Sequence, residues 1–185
     1  MKFDVIIIGG GLAGVTAASA LQEAGLRCAI VQFGESVRHP GTGSFHGHIF
    51  RGDKVTEGIF VKDRLTGVRT ANFESAPLLA DAFILTTGKF VSGGLAADME
   101  GVRETIFGLD CIFDTDRSRW FDRDFFAPQP FMEFGVRTDS SSRCFRSGQL
   151  ITNLYAAGEI MAGGIDIVQS AVKAANEILN ARVQQ

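Results

Sequence analysis

Cysteine, histidine, tyrosine and tryptophan are all scarce in this chain: three Cys, three His, one Tyr and one Trp among 185 residues. Cys28, Cys111 and Cys144 are odd in number, far apart and form no C-x-x-C pair. That excludes a disulfide framework and cysteine-based metal spacing, and it suits a reduced, cytoplasmic protein. The histidines, His39, His46 and His48, fall in one short stretch. His46 and His48 have the i, i+2 spacing of metal ligands or an acid–base pair. No Cys, Asp or Glu cluster accompanies them, so they read as ordinary loop histidines and no metal site is expected. No apolar run approaches the ~20 residues of a membrane span. Neither sign of charge dominates: 18 Lys and Arg face 21 Asp and Glu, for a net charge of −3. There is thus no electrostatic footprint for nucleic acid and no polybasic segment for an anionic membrane. The amino-terminal apolar stretch contains Asp4 and runs into a glycine loop, which is not the pattern of a signal peptide.

What remains is an ordinary globular composition, 45% hydrophobic and 21% charged. Residues 1–185 read as a single domain, long enough to bury a real core. Phenylalanine is the exception, with 16 copies. Phe121, Phe125, Phe126, Phe131 and Phe134 cluster in the second half. They read as core packing or as a surface made to be covered by another domain or subunit.

The organising stretch is Met1 to Phe33. Phe3-Asp4-Val5-Ile6-Ile7-Ile8 is a short β-branched run of the kind that forms a buried parallel strand. It enters Gly9-Gly10-Gly11-Leu12-Ala13-Gly14, the spacing G-x-G-x-x-G, and a helix from Leu12 to Ala24 follows. Gly25 stands where a left-handed helix cap belongs, and Cys28-Ala29-Ile30-Val31 supplies a second strand. Strand, glycine turn, helix, strand is the context that makes the motif a dinucleotide site rather than an ordinary glycine turn. Gly9 allows the bend, Gly11 lets backbone approach a pyrophosphate, and Gly14 lets helix pack on strand. The helix start at Leu12 and Ala13 offers unpaired N–H groups and a positive dipole end to the phosphates. The second strand ends in Gln32, where a ribose-binding Asp or Glu is usual. An amide still hydrogen-bonds a hydroxyl, without charge assistance.

Further along, Arg38 to His48 reads as a loop, and Thr42, Gly43 and Ser44 are candidate cofactor contacts. Residues 55–74 read as a hairpin, with strands 58–61 and 68–73 about a turn at Asp63–Gly67. Asp81–Leu85 reads as a buried strand ending in Thr86-Thr87-Gly88, a turn whose backbone can lie close to a ligand. Residues 101–150 show no regular pattern. Their seven arginines are interleaved with six aspartates, as on a solvated face. Leu154–Ala157 reads as a strand leading to Gly158-Glu159, then Gly163-Gly164-Ile165 and a helix with Ile167, Ala171, Ala174, Ala175 and Ile178 on one stripe. This is a second glycine turn delivering a helix N-terminus to a ligand, where the dipole would favour negative charge on a reduced flavin ring. The fold class is therefore α/β: a Rossmann-like FAD/NAD(P)-binding domain with a parallel sheet, a β-hairpin or meander crossover and a C-terminal helix.

Gly9-x-Gly11-x-x-Gly14, Leu85-Thr86-Thr87-Gly88 and Tyr155-Ala156-Ala157-Gly158-Glu159 together resemble the two-dinucleotide-binding-domain flavoproteins. More narrowly, the chain resembles the B subunit of the anaerobic glycerol-3-phosphate dehydrogenase. The residues that carry this are Gly25–Val31, Gly88-Lys89-Phe90-Val91-Ser92-Gly93-Gly94-Leu95, Gly101–Glu104, Gly108–Asp110, Asp124-Phe125-Phe126-Ala127-Pro128-Gln129-Pro130 and Phe134–Val136. The resemblance implies a flavin, FAD or alternatively FMN, with Gly9, Gly11, Leu12, Ala13, Gly14, Gln32, Thr42, Gly43, Ser44, Thr87, Gly88, Gly158, Glu159, Gly164 and Ile165 around it. Gly158-Glu159 would hold the ribityl chain. It implies electron transfer in the oxidation of glycerol 3-phosphate to dihydroxyacetone phosphate, with quinone as final acceptor. The implied partners are a catalytic flavoprotein subunit and an iron–sulfur membrane-anchor subunit, placing the chain in the cytoplasm at the inner membrane. Most of the lobe that the family carries after the second strand is missing near residues 50–54. The alternatives are a non-catalytic FAD-binding or assembly module and an NAD(P)-dependent reductase. No catalytic side chain is assigned.

Overall fold

The computed structural model describes residues 1–34, 45–73 and 76–183. The β-branched run forms β1 (Lys2–Ile8), followed by α1 (Leu12–Glu23), β2 (Cys28–Gln32) and β3 (His48–Arg51). An antiparallel meander, β4 (Val55–Val61) and β5 (Arg64–Thr70), leads into β6 (Leu78–Leu85). Two short ribbons follow: β7 (Leu95–Ala97) with β8 (Val102–Glu104), and β9 (Cys111–Ile112) with β10 (Gly135–Val136). β11 (Arg143–Arg146), β12 (Gln149–Ala156) and α2 (Ile167–Val183) close the chain. The main sheet has the order β11-β12-β6-β1-β2-β3, parallel from β12 to β3 with β11 antiparallel at one edge. This is the α/β sheet the sequence implies.

β1 is apolar without alternation because both of its faces are covered. Val5 and Ile7 pack with Ala13, Ala17, Ala18 and Leu21 of α1 and with Ala171, Ala174, Ala175 and Ile178 of α2. Ile6 and Ile8 face the meander and ribbons, among Leu65, Val68, Phe83, Leu95, Phe107 and Phe134. Each fully buried aliphatic side chain contributes roughly 1.5–3 kcal/mol by transfer from water. Alanine on both helices lets them approach the sheet and each other closely. At the end of α1, Gly25 has φ +84°, and Leu26 N–H donates to the Leu21 carbonyl at 3.1 Å, a Schellman closure.

The first half of β6 pairs with β5 and its second half with β12 along one edge. Buried Asn153 fills that fork. Its amide donates to the Leu65 and Asp81 carbonyls at 2.7 and 2.9 Å, and its oxygen accepts from Leu65 N–H at 2.9 Å. Three bonds satisfy a polar group that would otherwise be costly in a core.

Several expectations change. The hairpin turn is only Lys62-Asp63, with Lys62 at φ +56°, so Arg64 to Thr70 are strand. Gly67 serves close approach rather than turning: a Cβ there would stand 2.8 Å from Leu79 Cδ2. His48 begins β3, with its ring edge-on to Phe3, instead of lying in a loop. The irregular 101–150 region contains β8 to β11 and part of β12, too short to leave a period. A buried carboxylate organises part of it: Glu104 accepts from Ile106 and Phe107 N–H at 2.9 and 2.6 Å. The phenylalanines divide. Phe134 is buried and Phe131 packs on the core, but Phe121, Phe125 and Phe126 are 61%, 85% and 92% exposed. Among the described residues no helix is long and apolar enough to cross a membrane.

Candidate functional site

The first glycine turn separates two uses of glycine. Gly9 lies at φ +115°, its N–H donates to Val31 O at 2.9 Å, and a Cβ on it would stand 2.4 Å from the Thr86 carbonyl oxygen. A Cβ on Gly14 would stand 2.0 Å from Gly9 O. Both positions exclude a side chain so that strand, turn and helix can close on one another. Gly11 is different: its φ is −75°, and no protein atom lies within 4 Å of the place its Cβ would occupy. It is the N-cap of α1, which has no side-chain cap and no acidic residue in its first turn. By helix geometry the amides of Leu12, Ala13 and Gly14 lack an intrahelical acceptor. An anion at Gly11 would meet those donors and the positive end of the helix dipole.

Beside this turn, Thr86 is committed to structure: its hydroxyl contacts Ile8 O at 3.1 Å and Gly9 O at 2.9 Å. The neighbouring Thr87 Oγ1 is buried without a hydrogen-bond partner among the described residues, so a polar ligand atom would satisfy it. Gly88 has φ +72° and turns the chain out of β6. Gln32 ends β2 with its side-chain oxygen against Gly10, where a Cβ would come within 2.2 Å of it, and its amide nitrogen donates to Gly34 O at 2.5 Å. The amide thus braces the turn, and this fixes why a donor stands where a carboxylate is usual.

The second turn sits directly on the first. Gly158 has φ +77°, and a Cβ on it would be 2.7 Å from the Ala13 Cβ of α1. Its N–H donates at 2.9 Å to Ser170 Oγ, which itself donates to Ile167 O. Glu159 follows on the exposed side, Gly164 borders open space, and Ile165 packs against the meander-side core. The fold thus gathers Gly9, Gly11, Leu12, Ala13, Gly14, Gln32, Thr87, Gly88, Gly158 and Glu159 at the carboxyl ends of β1, β2, β6 and β12, the ligand side of such a sheet. Thr42, Gly43 and Ser44 lie outside the described residues. The α2 N-terminus is not left open in the same way. Asp166 Oδ1 accepts from Gln169 N–H at 2.8 Å, so a carboxylate of the chain already occupies that dipole end.

Three residues at this edge escaped sequence reasoning. Ser170 fixes the Gly158 turn to α2. Gly94 must be glycine because a Cβ would stand 2.0 Å from Gly88 O. Lys89 is 9% exposed, and its ammonium donates to Met132 O. Only the Ser-Gly-Gly run 92–94 carried any signal of this. Burial pushes the thiol of Cys28 up to about 12 and that of Cys111 up to about 11, and it raises Cys144 also. Protonated thiols are poor nucleophiles. At the opposite ends of the strands a cavity of about 230 Å³ is lined by Asp4, Arg64, Asp81, Asn153, Tyr155 and Arg182. It adjoins no helix N-terminus.

The family model described as an FAD binding domain matches residues 4–44 and 41–171. The chain belongs to the FAD binding domain family. The open N-cap at Gly11, the unpaired Thr87 hydroxyl and the two abutting glycine turns fit FAD, the cofactor of the family. Among curated relatives, the chain is 39% identical over 115 residues to the B subunit of the anaerobic glycerol-3-phosphate dehydrogenase of Vibrio cholerae, covering 61% of this chain and 26% of that protein. It is 38% identical over 123 residues to the corresponding B subunit of Yersinia enterocolitica, covering 66% and 29%. The chain thus spans between a quarter and a third of the length of these relatives. Among solved structures, an oxidoreductase from Agrobacterium tumefaciens aligns with a TM-score of 0.64 at 14% identity, over 100% of this chain and 99% of that one. The GidA-related protein from Thermus thermophilus aligns with a TM-score of 0.61 at 16% identity, over 97% and 99%. Similarity at that level establishes the fold of this FAD-binding domain.

Proposed function

We propose that this FAD-binding domain carries electrons in the oxidation of glycerol 3-phosphate to dihydroxyacetone phosphate, with quinone as final acceptor. The observation that carries the reading is the 39% identity over 115 residues to a protein named as a subunit of that dehydrogenase. Bound FAD would supply the two-electron chemistry, taking up the hydride equivalent that the alcohol loses on becoming a ketone. The chain's own residues bind and orient. The Leu12–Gly14 amides hold the pyrophosphate, the Gly158-Glu159 turn holds the ribityl chain, and Gln32 braces the adenosine end. Partner subunits, a catalytic flavoprotein and an iron–sulfur membrane anchor, would deliver and remove electrons. They would hold the domain at the cytoplasmic face of the inner membrane. Exposed Phe121, Phe125 and Phe126 support a covered surface of this kind.

A second reading, a non-catalytic FAD-binding module, is favoured by one observation. β3 passes to β4 through only Gly52, Asp53 and Lys54, leaving no room for a substrate lobe there. Anaerobic addition of glycerol 3-phosphate to the FAD-loaded protein, alone and with its partner subunits, tests both. Loss of the visible flavin absorbance with formation of dihydroxyacetone phosphate supports electron transfer. A flavin that stays oxidised in every combination supports the module.

A further inference from the structure

Lys89 is an unusual residue to find buried. It follows Gly88 at the carboxyl end of β6, the strand that lies between β1 and β12 and so between the two glycine turns. Its main chain is fixed: Gly94 N–H donates to Lys89 O at 3.0 Å. The residue is only 9% exposed, and among the described residues its ammonium, with three N–H donors, has one acceptor, Met132 O. The charges acting on it are those of Glu159, on the second glycine turn, and Glu133, whose carbonyl accepts from Gly163 N–H at 2.7 Å. Burial lowers the pKa of the ammonium, while Glu159 and Glu133 pull it back up. The other cationic feature of that turn, the α2 N-terminus, is offset by the Asp166 carboxylate.

We propose that Lys89, held between the Thr87-Gly88 turn and the Met132 carbonyl, is the positioning cation that favours the negatively charged, reduced state of the flavin over the oxidised state. The proposal rests on the FAD reading above and deepens it by assigning the charge. A fixed positive charge in a water-poor site acts strongly on charge that develops on reduction. The same ammonium ties the Pro130–Glu133 turn to the residues that follow β6.

The test is the midpoint potential of bound FAD, measured by equilibration with a reference dye, in the native protein and in Lys89→Met, Lys89→Gln and Lys89→Arg. Removing the charge should weaken binding of reduced relative to oxidised flavin about tenfold, a shift of about 30 mV to more negative potential for this two-electron couple. Lys89→Arg should keep the native potential. Lys89→Gln loses the charge and keeps an N–H donor on a side chain one atom shorter, so it carries the test if Lys89→Met fails to fold. A folded, FAD-loaded Lys89→Gln with the native potential overturns the proposal, as does a Lys89→Arg protein shifted as far as Lys89→Gln. Native protein that takes up no FAD is a different failure, that of the cofactor reading itself.

Discussion

Gly11→Ala separates ligand binding from folding, because Gly11 and Gly14 are glycine for different reasons. At Gly11 the backbone, φ −75° and ψ −173°, is open to any residue, and a new Cβ meets no protein atom within 4 Å. A Gly to Ala change at a compatible site gains about 0.4–1 kcal/mol by restricting the unfolded chain. Alanine is a poorer N-cap than glycine by a similar amount. The two nearly cancel, so Gly11→Ala should unfold within about 1 kcal/mol of native. The methyl group instead enters the space through which phosphate oxygens would reach the Leu12–Gly14 amides. Two hydrogen bonds to a charged group, roughly 1.5–3 kcal/mol each, are at stake. Their loss amounts to about 100-fold or more in Kd. Gly14→Ala places its Cβ 2.0 Å from Gly9 O, a backbone atom that cannot step aside, and should destabilise by about 1–3 kcal/mol or more. Urea unfolding and titration of the FAD-free protein with FAD, run on both variants, read the two quantities. A folded Gly11→Ala protein that binds FAD as tightly as native refutes the assignment of this turn to the pyrophosphate.

Ser170→Ala removes the acceptor of Gly158 N–H and should cost about 1–2 kcal/mol in urea unfolding while weakening FAD binding, because the second turn loses its tether. Gln32→Glu replaces the donor to Gly34 O by a carboxylate and should lower stability by about 1 kcal/mol or more, even though a carboxylate is the usual residue there; a stabilised variant contradicts the bracing role. Desolvation alone would raise the pKa of Asp4, but hydrogen bonds from Arg182 and from Arg27 N–H outweigh it and hold the group below its ordinary 3.8. A lowered pKa means stability that is present above 3.8 and lost as pH falls through the folded value. Asp4→Asn should flatten that acid limb of stability against pH and cost about 1 kcal/mol at neutral pH, given the partial exposure of the pair.

The parts legible in the sequence are those whose chemistry is local. β1, the first turn, α1, the Gly25 cap and β2 are consecutive, and each is signalled by the residues that form it. The Gly158 turn and the stripe of α2 are legible for the same reason. The remainder depends on contacts between distant segments. Gly67 reads as a turn residue because nothing nearby in the sequence shows that Leu79 crosses it. Gly158 against Ala13, Ser170 under Gly158 and Lys89 on Met132 are meetings that only the fold creates. The Asp166 cap is written locally, but its bearing on the flavin emerges only when α2 is seen beside the second turn. The phenylalanines show the same limit, since one run supplies both the buried Phe134 and the exposed Phe126.

The central claim is that the two abutting glycine turns hold one FAD. Its most direct test is the cofactor released on denaturing the protein after loading with a mixture of FAD and FMN and removal of unbound flavin. The account predicts FAD, one per chain, with FMN at background, because only FAD presents a diphosphate to the α1 amides and an adenosine to the end of β2. Release of FMN in FAD's place, or of no flavin, would contradict it.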